Sequence, residues 1–233
     1  MLASHSFVPT ALVDATFSAA ACFANARSGH LNERCLTARE PLFREGDDTR
    51  YHFEVLEGVL CNYKIFADGR RQVISFAFPG ELVGFGHGPE YRFDCEALSS
   101  ARVQIIPKVG LLSAARERPE LGERLLEIAA SQVAGMQAHS MLLGRKTAAE
   151  RIATFLVELA ERAGKEDEAP IRLHLPMTRA DIADYLGLTV ETVSRNITKL
   201  KMKGIISLPS LGMVTVLDIE RLRDLAESEE LLQ

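Results

Sequence analysis

The sequence predicts an α+β protein in three parts: an N-terminal antiparallel β-roll (jelly roll), a long helix, and a C-terminal winged helix-turn-helix. Three features carry this. Between Leu31 and Pro107, short strand-like runs alternate with regularly spaced glycines. From Pro119 to Leu143, apolar residues recur at intervals of three and four. From Thr178 to Leu200, two short helical patterns flank one glycine, and a second β-rich stretch follows them.

The β-roll runs are YHFEVLEG, VLCNYKIF, RQVISFAF and ARVQIIP, punctuated by Gly46, Gly58, Gly69 and Gly80. Short strands at such spacing indicate a sandwich or barrel. Asp68-Gly69, between two of the runs, is a strong hairpin turn.

Composition sets the bounds. At 233 residues and 47% hydrophobic, the chain can bury a core and is expected to hold two domains. A net charge of −5 argues against indiscriminate polyanion binding, so any such contact must be local. Asp218, Glu220, Asp224, Glu227, Glu229 and Glu230 supply much of that charge and predict a solvated C-terminal helix. No run approaches the roughly 18 apolar residues of a membrane span. The N-terminus has no basic region ahead of an apolar stretch, so no secretory signal is expected and the cytoplasm is the predicted location. Residues 1–28, rich in Ala and Ser, read as an arm or short helix.

The long helix carries two stripes. Leu126, Ala129, Val133, Met136, Ser140 and Leu143 form one; Leu121, Leu125, Ile128, Gln132, Gly135, His139 and Leu142 form the other. One stripe would only dock the helix on its own domain. Two allow one to face the β-roll and the other a partner helix, as in a coiled-coil dimer. The stripe from Leu126 to Leu143, with Val133, Met136 and Ser140, is less interrupted by polar groups and is the predicted seam of this dimerisation helix.

In the third part, Thr178 with Asp181 is a weak form of the capping box. Ile182, Tyr185 and Leu186 share a face, and Gly187 suits a left-handed helix end. Thr189 is a good N-cap for the next helix, on which Val193, Ile197 and Leu200 point inward. Ala183, Gly187 and Val193 keep the spacing of a helix-turn-helix, where two helices cross closely. Glu191, Ser194 and Arg195 then share an outward face. Arg suits the guanine edge and Glu can accept from a cytosine amino group, so this face predicts sequence-specific readout of double-stranded DNA. A surface ion pair between Glu191 and Arg195, worth a few tenths of a kcal/mol, is the plainer alternative. The basic run Arg195, Lys199, Lys201 and Lys203 favours DNA, because cations without acids among them suit phosphates. Thr178, Arg179, Thr189 and Thr192, with Lys199 and Lys201, are the predicted backbone contacts. Beyond Gly204, IISLPSLGMVTVL reads as a hairpin turning at Pro209 and Gly212, the wing.

This order of parts resembles the CRP/FNR family of bacterial transcription regulators, over nearly the whole chain from Leu31. Its most specific stretches are FPGELVGF (Phe78 to Phe85), RKTAAERIATFL (Arg145 to Leu156) and MTRADIADYLGLTVETVSR (Met177 to Arg195). Glu191, Ser194 and Arg195 match the Glu-x-x-Ser-Arg signature of the FNR branch. The resemblance implies a site similar to TTGAT-N4-ATCAA, read by a homodimer whose half-sites lie one helical turn apart, about 34 Å. It also implies contacts with RNA polymerase, expected from loops around Gly80–Pro89, and activation of transcription.

Control is read from what the family's sensors would need. The CRP branch holds a cyclic nucleotide through an acidic residue and a later Arg-Ser pair; Glu81 is present, but GFGHGPEY follows it. The FNR sensors hold an iron–sulfur cluster on three clustered cysteines and one more. Here Cys22, Cys35, Cys61 and Cys95 are scattered, and Gln104 stands where the fourth ligand is expected. Met136 occupies the seam where those sensors place an acid. The expectation is a constitutive dimer resembling the FixK subgroup, with no cofactor, serving low-oxygen respiration, nitrogen fixation or denitrification. Two alternatives remain. One is a ligand-gated sensor of the same family, binding haem or a nitrogen oxide, for which His87 in the GFGHGPEY loop is the candidate, or an iron–sulfur cluster. A cupin-type metalloenzyme would need paired histidines, but His52, His87, His139 and His174 stand alone. The expected boundaries are an arm at 1–28, a β-roll at 29–117, the dimerisation helix at 118–144 and the DNA-binding domain at 145–233.

Overall fold

The computed structural model describes residues 32–86, 88–163 and 170–227. The predicted arm, Cys22, His87, Glu229 and Glu230 lie outside them. The β-roll contains β1 (Glu33–Leu36), β2 (Pro41–Phe43), β3 (Tyr51–Glu57), β4 (Leu60–Ile65), β5 (Arg71–Ala77), β6 (Leu82–Val83), β7 (Asp94–Ala97) and β8 (Ala101–Pro107). They form two antiparallel four-stranded sheets, ordered β1-β8-β3-β6 and β2-β7-β4-β5. Val55, Leu60, Cys95, Ala97 and Val103 are fully buried in the core cluster to which both sheets contribute. The four longest strands coincide with the four predicted runs. Strands β1, β2, β6 and β7 are only two to four residues long and exist through their pairing.

Two glycines are required by geometry. Gly69, at φ 83°, closes the β4–β5 hairpin by donating to the Phe66 carbonyl at 2.9 Å. Gly58, at φ 82°, lies against Ser100 and Ala101 so closely that a Cβ would collide with backbone.

After β8 comes a helix with no counterpart in the sequence reading, α1 (Lys108–Glu117), and then α2 (Pro119–Arg145), two residues longer at its C-terminal end than predicted. Leu121, Leu125 and Ile128 bury themselves with Leu82, Ile106, Leu111 and Ala114. This stripe docks the first half of α2 on the β-roll. Contacts divide the chain after Ala130, so the second half of α2 belongs with the C-terminal unit.

That unit holds α3 (Ala148–Arg162), β9 (Ile171–His174), α4 (Arg179–Leu186), α5 (Val190–Met202), β10 (Ile206–Ser207), β11 (Met213–Val216) and α6 (Ile219–Glu227). Thr147 starts α3 with a full capping box, its N–H donating to Glu150 Oε2 at 2.8 Å and its hydroxyl accepting from the Glu150 N–H at 3.4 Å. The predicted hairpin is β10–β11, and β9 adds a third strand on β11. The acidic C-terminal helix corrects an expectation. It is not simply solvated: Ile219, Leu222, Leu225 and Ala226 of α6 are buried, and the helix packs on α3. The acids occupy the opposite face, so charge count alone concealed an amphipathic helix.

Within this unit burial pushes the Glu158 carboxyl on α3 up from an ordinary 4.5 to about 7, aided by Glu161 and opposed by Arg162 and Lys146. The folded chain therefore holds this proton more tightly than the unfolded chain. Its stabilising effect is complete below pH 4.5 and is lost as pH rises through about 7. Glu158→Gln should flatten the decline in melting temperature between pH 5 and 8, and raise stability at pH 8 by on the order of 1–2 kcal/mol. Thermal melts across that range check it, and an unchanged slope would contradict the burial argument.

Candidate nucleic-acid interface

The helix pair is held by local chemistry. At the start of α4, Asp181 Oδ2 accepts from the Thr178 N–H at 2.9 Å and from its hydroxyl at 2.7 Å; Thr178 Oγ1 accepts from the Asp181 N–H at 3.1 Å. The helix ends at Gly187, in the left-handed region at φ 62°, ψ 42°. Thr189 Oγ1 then caps α5, accepting from the Thr192 N–H at 3.2 Å. Val193, Ile197 and Leu200 are buried at helical spacing, with Ala183 and Leu186 of α4 also buried. These contacts turn the opposite face of α5 outward.

Glu191, Ser194 and Arg195 are all exposed on that face, as are Lys199, Lys201 and Lys203. Arg195 Nη2 donates to Thr192 Oγ1 at 3.4 Å, a long bond that leaves most of the guanidinium fork to solvent. The Glu191 carboxyl is held below its ordinary range by its own backbone N–H, the Thr189 hydroxyl and Arg195, so it stays an acceptor at neutral pH. The face thus offers one anionic acceptor and one bidentate donor at the N-terminal half of the helix. Thr178, Thr189 and Thr192 spend their hydroxyls on caps and near neighbours. Arg179 is half-buried, and that burial lowers its pKa. Beside the pair, the wing turns at Gly212, φ 73°, whose carbonyl accepts from the Leu175 N–H at 2.7 Å. Leu211 at its tip is fully exposed.

The second stripe of α2 is largely exposed. Leu126, Val133 and Met136 are 70%, 53% and 60% exposed, and Ser140 is exposed with them. Leu143 is only half-buried: its side chain packs beside Gly187 and its carbonyl is taken by Arg151. Met141, 62% exposed, lies next to the stripe and was absent from the predicted seam because it breaks the three-four alternation.

Glu81 accepts from the Phe78 N–H at 3.1 Å, and no arginine or lysine occurs in residues 82–91. A cyclic phosphate would need its cationic partner from elsewhere in the chain. Cys35 is exposed, while Cys61 and Cys95 are buried, and burial pushes the Cys95 thiol well up. Among the described residues no group of three His, Cys, Asp or Glu is placed to hold a metal. Gln104 instead donates from Nε2 to the Asn32 carbonyl at 2.9 Å. His52 is buried with Nδ1 2.9 Å from the Gly84 carbonyl, His139 stacks on Tyr185 at 4.2 Å, and His174 is exposed; His87 lies outside the described residues. No described helix is long and apolar enough to cross a membrane.

Fold and site together define a class: a winged-helix transcription regulator with a β-roll ahead of its DNA-binding domain. Residues 33–118 match the family model of the cyclic nucleotide-binding domain, and residues 150–225 that of the Crp-like helix-turn-helix domain. The chain is 40% identical over 202 residues to the nitrogen fixation regulation protein FixK of Bradyrhizobium diazoefficiens, covering 84% of this chain and 83% of the relative. It is 40% identical to the protein of the same name from Rhizobium meliloti, covering 79% and 82%. The structure of FixK2 from Bradyrhizobium japonicum superposes with a TM-score of 0.80 at 34% identity, over 87% of this chain and all of that one. The chain belongs to the CRP/FNR family of DNA-binding transcription regulators, in its FixK-like group, and is not an enzyme.

Proposed function

We propose that two copies pair through the exposed stripe of α2 and read a palindrome similar to TTGAT-N4-ATCAA, without a cyclic nucleotide, metal or cluster as effector. One observation carries this reading: the outward face of α5 presents Glu191, Ser194 and Arg195 to solvent, with Lys199 and Lys201 further along the same helix. Glu191, Ser194 and Arg195 read base edges, while Lys199, Lys201, Arg179 and the helix-start residues Thr178, Thr189 and Thr192 meet phosphates. Leu126, Val133, Met136 and Ser140, with a smaller part from Leu143, form the seam. The reading is supported by the absence of Arg and Lys from residues 82–91 and by an apolar Met136 in the exposed stripe, where the family resemblance implies an acid for a cluster-bearing sensor. The names of the FixK relatives support a role in regulating genes of nitrogen fixation, to which we add genes of oxygen-limited growth. The same regulator contacts RNA polymerase through β-roll loops around Gly80–Pro89 and acts in the cytoplasm as an activator.

A gel shift in air without added ligand, comparing TTGAT-N4-ATCAA with half-site variants, tests the reading. Tight binding to the intact palindrome alone is expected; equal retention of all variants would overturn it. Lys199→Ala with Lys201→Ala should weaken binding to every sequence alike and reduce the slope of log affinity against log salt by about 0.9 per phosphate contact removed. A salt titration of both proteins measures this, and a loss confined to one base substitution would reassign these lysines to readout.

A further inference from the structure

One side chain that the DNA-binding reading leaves unused is Arg151, on the first turn of α3. Its Nη2 donates to the Leu143 carbonyl at 2.8 Å, its Nε to the Lys146 carbonyl at 2.9 Å, and its Nη1 to the Leu186 carbonyl at 2.9 Å. Leu143 lies in the last turn of α2, Lys146 in the two-residue linker, and Leu186 is the last residue of α4. Carbonyls at helix C-termini have no intrahelical donor and carry the negative end of the helix dipole. One planar guanidinium satisfies two such ends and the joint between α2 and α3.

We propose that Arg151 is a positioning residue that sets the angle of the DNA-reading helix pair against the C-terminal half of the dimerisation helix, and so sets the half-site spacing the dimer accepts. The surroundings support a fixed joint. A Cβ on Gly187 would touch Arg151 Nη1 and Leu143 Cδ2 at 3.5 Å each, so the end of α4 is already in contact with α2 there. Tyr185 of α4 stacks on His139 of α2 at 4.2 Å with the rings 17° apart, and Phe155 of α3 leans on the same ring at 5.8 Å. Lys146 Nζ donates to Thr154 Oγ1 at 2.8 Å, tying the linker to α3 a second time. The fork geometry matters: lysine offers one charged point and cannot span three carbonyls in fixed directions. This inference rests on the dimeric reading of a palindrome.

The test uses the full chain and a set of operators with three, four or five base pairs between half-sites. Each added base pair rotates one half-site by about a tenth of a turn, so a rigid joint discriminates spacing. The unaltered protein should favour the four-base spacer by roughly tenfold or more. Arg151→Ala should bring that ratio below about threefold while keeping the same penalty for a base change inside a half-site. Arg151→Lys should fall between them, and it carries the test if the alanine variant does not fold by circular dichroism. A variant that keeps the full spacer ratio overturns the role of Arg151. An unaltered protein indifferent to spacing overturns the dimeric reading itself, and the role of Arg151 with it.

Discussion

Met136→Glu should turn the protein into a monomer and lower its affinity for the palindrome by about 10²- to 10⁴-fold. Met136 is 60% exposed in a stripe with Leu126 and Val133, while Leu121, Leu125 and Ile128 of the other stripe are already spent on the β-roll. In a two-fold seam each residue near the axis faces its own copy, so one substitution places two carboxylates together. That removes apolar burial and adds like-charge repulsion, which desolvation strengthens. Affinity suffers because the second half-site is bound at the effective concentration that pairing supplies, a gain of about 10²–10⁴ that a monomer forfeits. Light scattering after size exclusion gives the mass, and a gel shift gives the affinity. A variant that remains dimeric and binds fully would place the seam elsewhere. Leu143→Ala should disturb pairing less, since that side chain packs beside Gly187 within the DNA-binding unit.

Arg195→Ala has the second largest expected effect. The guanidinium is exposed, makes one long bond to Thr192 Oγ1, and lies one turn from an ionised Glu191. A bidentate pair with guanine O6 and N7 contributes about 1–3 kcal/mol of discrimination, so truncation should cost roughly 5- to 150-fold per half-site. The loss should fall on one guanine, with the preference at the other positions unchanged. Competition gel shifts across single-base variants measure this pattern. Full retention of sequence preference would mean that α5 docks in another orientation.

Much of the site was legible because its signals are local. The Thr178–Asp181 box, the left-handed Gly187 and the Thr189 cap each act over a few residues and determine the two helices wherever the chain folds. The β3, β4, β5 and β8 runs were equally plain, since each is long enough to show a strand pattern. The short strands were not: β9 is four residues and is completed by its pairing with β11, which lies far along the chain. The acidic helix α6 misled for a related reason. Its solvent face carries the conspicuous charges, and only docking on α3 reveals Ile219, Leu222 and Leu225 as core.

By itself the sequence determined the three-part order, the outward trio Glu191, Ser194 and Arg195, and the existence of two stripes on one long helix. These follow from periodicity and capping, which depend on spacing along the chain. Tertiary structure decided that Leu121, Leu125 and Ile128 are consumed by the β-roll while Leu126, Val133 and Met136 stay exposed, that Leu143 is half-buried, and that Arg151 joins three segments. Those facts depend on distances between residues far apart in sequence, such as 143, 151 and 186. Periodicity gives a face its direction, but only packing supplies what lies against it.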